Sequence, residues 1–243
     1  MSSYLEDGYH RGDTAASAPV DERISFVRKT YLHLAFSVAG LVGIIGLMKF
    51  ADLDKQLMGI IVASPVSLLF LMLFFIGGGF LARYMARAAA PPAVKYAGLA
   101  LYTFIEAIFL LPILTYAEFR FGMEIINQAG FLTLAVFGGL TVTVFVTKKD
   151  FSFLRYGLVV LSCVMLGLIL VSIFGSMFGL SLGLGMWFSA LGIVLAAGYI
   201  LYDTSNIMHH YNTDEYVGAS LELLADVVLL FYYILRLLMQ SRD

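Results

Sequence analysis

Seven ionisable side chains lie inside or at the rim of strongly apolar runs in this 243-residue chain: Arg83, Arg87, Glu106, Asp203, Glu222, Asp226 and Arg236. Such a group costs at least about 2.5–3.5 kcal/mol at the centre of a membrane helix, so it must face protein or water, and it usually has a task. Glu222 and Asp226 are four residues apart and share a helical face. Asp203, Asp226 and Arg83 fall at a similar depth on the same side, so two carboxylates and a guanidinium can form one cluster there. Burial and a like-charged neighbour raise a carboxylate's pKa and a nearby Arg lowers it, so a carboxylate pair of this kind titrates as a unit. That chemistry senses protons. Carboxylate oxygens are also the ligands that a hard cation such as Ca²⁺ prefers.

Each residue has a plainer reading beside the functional one. Asp203 can end a helix at headgroup level, whereas Asp226 is too deep for that and either pairs structurally or takes part in transport or gating. Glu106, twelve residues into the third apolar run with Pro112 six residues on, either lines a pathway or pairs with a polar group. Arg236 reads as an anchor that snorkels to the interface. His209 and His210 have no His or Cys partner at metal-ligand spacing. The single cysteine, Cys163, lies in an apolar stretch and reads as a small buried hydrophobe, with no intramolecular disulfide possible.

The elements that must position these groups are membrane helices. The chain is 60% hydrophobic and 13% charged, against about 45–50% apolar and about 25% charged for soluble domains. Residues 156–202 contain no Asp, Glu, Lys, Arg or His. The expected fold is an all-α integral membrane protein with seven spans: 31–48, 59–82, 94–117, 129–147, 154–178, 181–202 and 219–239. The fifth break, rich in glycine, is read as a hairpin, because one helix over 47 residues would run about 70 Å, more than twice the hydrocarbon thickness. Glycines at 40, 43 and 46, at 77–79, and at 175, 179 and 183 are read as sites of close helix packing. Residues 1–29 form a polar, partly disordered tail ahead of the seven-helix domain of 30–243, with 20–29 as an amphipathic lead-in. The tail has no signal-peptide pattern.

Alternate sides of this topology carry unequal positive charge. Arg11, Arg23, Arg28, Lys29, Arg83, Arg87, Lys95, Lys148, Lys149 and Arg155 fall on the N-terminal side, and Lys49, Lys55, Arg120, Arg236 and Arg242 on the other. The excess places the N-terminus in the cytoplasm and the C-terminus outside, as in a bacterial inner membrane. The net charge of −2 gives no reason to expect nucleic acid as a partner. Enzyme readings fare poorly. An intramembrane aspartyl protease places glycine before its second aspartate, but Ala225 precedes Asp226. A retinal protein needs a lysine in the last span, and a serine protease needs a histidine deep in a span near a serine. Neither cofactor nor catalytic residue is expected.

The stretch Ile200-Leu-Tyr-Asp203-Thr-Ser-Asn206, followed by Ala219-Ser-Leu-Glu-Leu-Leu-Ala-Asp226-Val-Val-Leu-Leu-Phe231 and Leu235-Arg236-Leu-Leu238, resembles the last two helices of the Bax inhibitor family, the transmembrane Bax-inhibitor-motif proteins. Val20 to Tyr31 looks like that family's entry into the first helix, and Lys148-Lys149-Asp150-Phe-Ser-Phe like its fourth-to-fifth loop. Around span three the family has glycines before and beside a proline, whereas Glu106-Ala107 and Leu111-Pro112 stand here. The resemblance implies a bacterial member whose last helix is central and wrapped by six others. It implies a pH-sensitive Ca²⁺ leak governed by Asp203, Asp226 and Arg83 rather than Arg87, with transient Ca²⁺ on the aspartates, while Glu106 and Glu222 stand as candidate pathway groups on their own chemistry and not through the resemblance. A binding role toward a membrane protease is the alternative it implies.

Overall fold

The computed structural model describes residues 14–86, 90–179 and 183–242. Among these are eight helices and no strand: α1 (Val20–Phe50), α2 (Leu53–Ala63), α3 (Pro65–Met85), α4 (Pro92–Phe121), α5 (Met123–Thr147), α6 (Leu154–Met177), α7 (Met186–His209) and α8 (Tyr216–Gln240). Six of them, α1 and α3 to α7, are long and apolar enough to cross a membrane. Arg87, weighed against Arg83 above, lies outside the described residues.

Two boundaries differ from the expected ones in ways that matter, and a third stands where it was expected. The second apolar run, expected from residue 59, is divided at Ser64-Pro65. Proline has no N–H to give a preceding turn and suits the first helical position, and the Ser64 hydroxyl caps the new helix by accepting from Val66 N at 3.1 Å. The eleven residues of α2 reach only about 16 Å, too short to span. The Gly-rich break does separate α6 from α7, with Gly179 at φ +76°, where a side chain would be strained. Finally, α7 runs on to His209, so Asp203 sits within a helix and does not end one.

The helices fall into two kinds. In α6 only Leu158 and Met165 are buried, and large apolar side chains such as Phe36, Phe70, Phe131 and Trp187 point outward from other helices, a surface that is stable against lipid and not against water. By contrast α8 carries buried residues from Val217 to Met239 and packs on α1, α4, α5 and α7. Lipid offers no hydrophobic drive for helices to associate, so close contact at small residues must supply it. A Cβ on Gly192 would stand 2.3 Å from the Tyr233 ring, and one on Gly98 2.8 Å from the Ala82 carbonyl. These glycines, absent from the expected set, close the α7–α8 and α3–α4 contacts. Gly43, Gly46 and Gly77 instead have open space around them.

Part of the polar tail is held in place. Ala15 is fully buried, its N–H donates to the Tyr211 carbonyl at 2.8 Å, and Thr14 bridges to Asn212 in the α7–α8 loop. Residues 20–29 form the first turns of α1.

Candidate functional site

Four of the expected site residues meet where α3, α7 and α8 come together. Arg83, in the last turn of α3, donates from Nε to Glu222 Oε2 at 2.9 Å and Oε1 at 3.3 Å. Its guanidinium also lies over the Tyr102 ring, 5.2 Å from the centroid. Asp203 and Asp226 act on each other through their charges, and both sense Glu222 and Arg83. The direct ion pair of Arg83 is therefore with Glu222, a residue the sequence placed on the pathway, and the two aspartates surround that pair. Glu106 on α4 faces Tyr102 and Arg83, so it joins the same network from the other side. Arg236 stands apart, donating from Nη2 to the Leu184 carbonyl at 2.7 Å beside Phe188.

Asp226 is the most enclosed of these groups. It is ten residues along α8 from Tyr216, about 15 Å at 1.5 Å per residue, and is 4% exposed. Its Oδ2 is buried without a hydrogen-bonding partner among the described residues. That is an expensive state for a carboxylate, which is satisfied in proteins by a proton, a cation or water.

Two cavities are lined in part by α8, one by residues before Asp226 and one by residues after it. One of about 710 Å³ is lined by polar groups, including Arg83, Arg155, Asn206, Tyr211 and Glu222, with Gly218 and Leu221 of α8 in its wall. The other, of about 580 Å³, lies between α1, α4, α5 and α8 and is apolar, with Val227, Val228 and Phe231 of α8 in its wall and Lys49 at its rim. The α8 residues facing the first cavity end at Glu222 and those facing the second begin at Val227. Asp226 falls between these two sets along α8 and lines neither cavity. Among the described residues no cluster of three or more His, Cys, Asp and Glu is arranged to hold a metal ion.

The loop at the mouth of the first cavity is ordered by its own chemistry. Asp150 accepts from the Ser152 N–H at 2.9 Å and from the Ser152 hydroxyl, and with His210 3.8 Å away its carboxyl is held below the ordinary value. Ser205, fully buried on α7, accepts from Phe151 N at 2.9 Å and so fastens this loop to the helix that carries Asp203. Burial, helped by Glu222 and Asp203, raises the Tyr211 phenol above its ordinary value.

The family described as inhibitor of apoptosis-promoting Bax1 matches residues 23–243. The chain belongs to this family. It is accordingly a multi-pass membrane protein, and Asp203, Glu222 and Asp226 lie on the two helices, α7 and α8, whose sequence carried the resemblance. Relatives within the family are widely spread. The chain is 31% identical over 236 residues to the Golgi anti-apoptotic protein of Vaccinia virus (strain Lister), covering 97% of this chain and 94% of that one. It is 28% identical over 239 residues to protein lifeguard 4 of Mus musculus, covering 97% and 93%. An uncharacterized protein of Campylobacter jejuni is 30% identical over 244 residues, covering 98% and 97%.

Sequence reasoning missed Tyr102 and Tyr211. Tyr102 had a signal, since it stands four residues before Glu106 and so on the same helical face. Tyr211, in a loop, had none.

Proposed function

We propose that the chain is a pH-sensitive cation leak of the membrane, passing chiefly Ca²⁺, with α8 as a seventh span enclosed by the other six. The observation that supports this most is the enclosure of Asp226, whose Oδ2 has no hydrogen-bonding partner among the described residues, one helical turn from the Arg83–Glu222 pair that lines a polar cavity. In this reading Asp203 and Asp226 take a passing Ca²⁺ briefly, and Arg83 competes with the ion for the same carboxylates. Glu222 holds Arg83 in place and Glu106 backs it from α4. Protonation of the Asp203/Asp226 pair changes its attraction to Arg83 and biases α8 between closed and open states. The excess of Lys and Arg supports an N-terminus in the cytoplasm of a bacterial cell, the inner membrane as location and a C-terminus outside. No step needs a cofactor or a covalent intermediate.

The test is Ca²⁺ flux into liposomes carrying the purified protein across a pH series. Flux should depend on pH in the wild type and lose that dependence in the Asp203→Asn/Asp226→Asn double variant. An unchanged profile in the double variant sinks the mechanism, and flux no greater than in empty liposomes sinks the leak.

A second reading is a binding protein that restrains a membrane-bound protease or tunes a stress response. Two observations favour it: relatives are named for inhibition, as in the viral anti-apoptotic protein, and residues 14 and 15 are fixed on the α7–α8 loop, where a tail can present a surface. Deleting residues 1–19 separates the readings, because a leak survives the deletion and partner capture does not.

A further inference from the structure

Among the described residues five buried side-chain oxygens have no hydrogen-bonding partner: Tyr31 Oη, Asp54 Oδ1, Thr141 Oγ1, Thr204 Oγ1 and Asp226 Oδ2. Asp54 is on α2, with its other oxygen near the Thr115 hydroxyl at 3.3 Å. The remaining four come from α1, α5, α7 and α8. Those helices pack on one another, α8 against each of the other three and α5 against α7. Tyr31 is close enough to Thr141 and Thr204 to interact with both, and it senses the charge of Asp226. Its ring also meets that of Phe145, one turn beyond Thr141 on α5, with centroids 6.0 Å apart. Thr204 is fully buried and Asp226 is 4% exposed. Tyr31 thus stands within loose hydrogen-bonding reach of the threonines of α5 and α7 and faces the charge of Asp226 on α8, and none of the four oxygens has a close partner.

We propose that Tyr31, Thr141, Thr204 and Asp226 form a buried binding site for water. The donor and acceptor count fits that ligand. Each hydroxyl both donates and accepts, and a carboxylate oxygen accepts. A water donating to Asp226 Oδ2 and one threonine, and accepting from Tyr31 and the other threonine, uses all four of its bonds, within the two to four partners that internal waters have. A bare Ca²⁺ takes six to eight oxygens, more than the four side chains supply. Water here ties α8 to α1, α5 and α7, because removing it would leave four polar groups unmet at once. Tyr31, Thr141 and Thr204 thereby become hydrating residues for the buried aspartate. The inference needs no ion flux and stands whether or not the chain conducts.

Radiolytic hydroxyl-radical labelling of the full chain in lipid nanodiscs, read by mass spectrometry, tests it directly, since a bound water generates radicals in place and oxidises a buried aromatic beside it. Tyr31 should be oxidised severalfold faster than Phe26, a dry control on the same helix that is 1% exposed. In ¹⁸O-labelled water the label should appear on Tyr31. The Thr141→Val/Thr204→Val variant should bring Tyr31 down to the level of Phe26, and Thr141→Ser/Thr204→Ser should not. Tyr31 labelled no faster than Phe26 in the wild type would overturn the proposal, leaving the four groups to satisfy one another directly. So would fast labelling that the valine variant leaves unchanged. Because Tyr31 is itself partly exposed, fast wild-type labelling supports the proposal only together with its fall on removing the threonine hydroxyls, and the Thr141→Ala and Thr204→Ala single variants make that comparison if the double valine variant fails to fold.

Discussion

Two ion pairs join helices at opposite ends of this bundle, and they differ less in themselves than in their surroundings. Arg83–Glu222 ties α3 to α8, and Lys49–Glu118 ties α1 to α4. Their side chains are comparably enclosed, 42% and 28% exposed in the first pair and 25% and 43% in the second, so depth does not set them apart. The neighbours do. Arg83 lies over Tyr102 and is shared electrostatically among Glu222, Asp203, Asp226 and Glu106, whereas Lys49 stands at the rim of an apolar cavity with Glu118 for a partner. One cation paired with Glu222 and set among three further carboxylates should matter more to stability than one cation facing a single carboxylate.

The largest expected effect is at the shared cation. Arg83→Gln removes the positive charge from the acidic network and, the pair being partly exposed, should cost about 1–2 kcal/mol, more than an ordinary exposed pair because the buried Asp226, with Glu222, loses a counter-charge. Thermal unfolding in detergent would register this as a clear fall in Tm. Adding Glu222→Gln should recover part of the loss, because one stranded carboxylate is then neutral. Lys49→Gln should cost less than about 1 kcal/mol, and its effect should shrink in high salt, as exposed pairs do. Equal losses for Arg83→Gln and Lys49→Gln would break the comparison.

The smallest effect belongs to the loop over the polar cavity. Asp150 has its folded pKa below the unfolded value of about 3.9, so it contributes stability at neutral pH that is lost as pH falls through the folded value. Between about pH 5 and about pH 2.5 the wild type should therefore lose more stability than Asp150→Asn, whose side chain does not titrate. Parallel unfolding curves for the two proteins over that range would show that the loop contributes nothing through this charge.

Much of the bundle was legible because lipid imposes a simple rule: a span must be long, apolar and helical. That rule separated α6 from α7 correctly even though no charge marks the break. It failed at Ser64-Pro65, where hydropathy runs on but the backbone stops for want of an N–H. It also placed the end of α7 too early, since polar Asp203, Ser205 and Asn206 look like a terminus until their helix is seen to continue to His209. The packing glycines were only partly legible: Gly78, where a Cβ would stand 2.7 Å from Ile105 on α4, was among those expected, and Gly192 and Gly98 were not. Gly43 and Gly192 look alike in sequence, and only the position of Tyr233 on α8 distinguishes them.

By itself the sequence determined that the chain lives in a membrane, which family it resembles and which charged groups must be shielded there, since each follows from the cost of a charge in hydrocarbon. Tertiary structure alone decided who shields whom. Pairing Arg83 with Glu222, leaving Asp226 Oδ2 without a partner among the described residues, and setting Tyr31 beside Thr141 and Thr204 all depend on the rotation of each helix about its own axis. Van der Waals fit at small residues sets that rotation, and in lipid, where apolar faces are interchangeable, the pattern of hydrophobic residues cannot encode it.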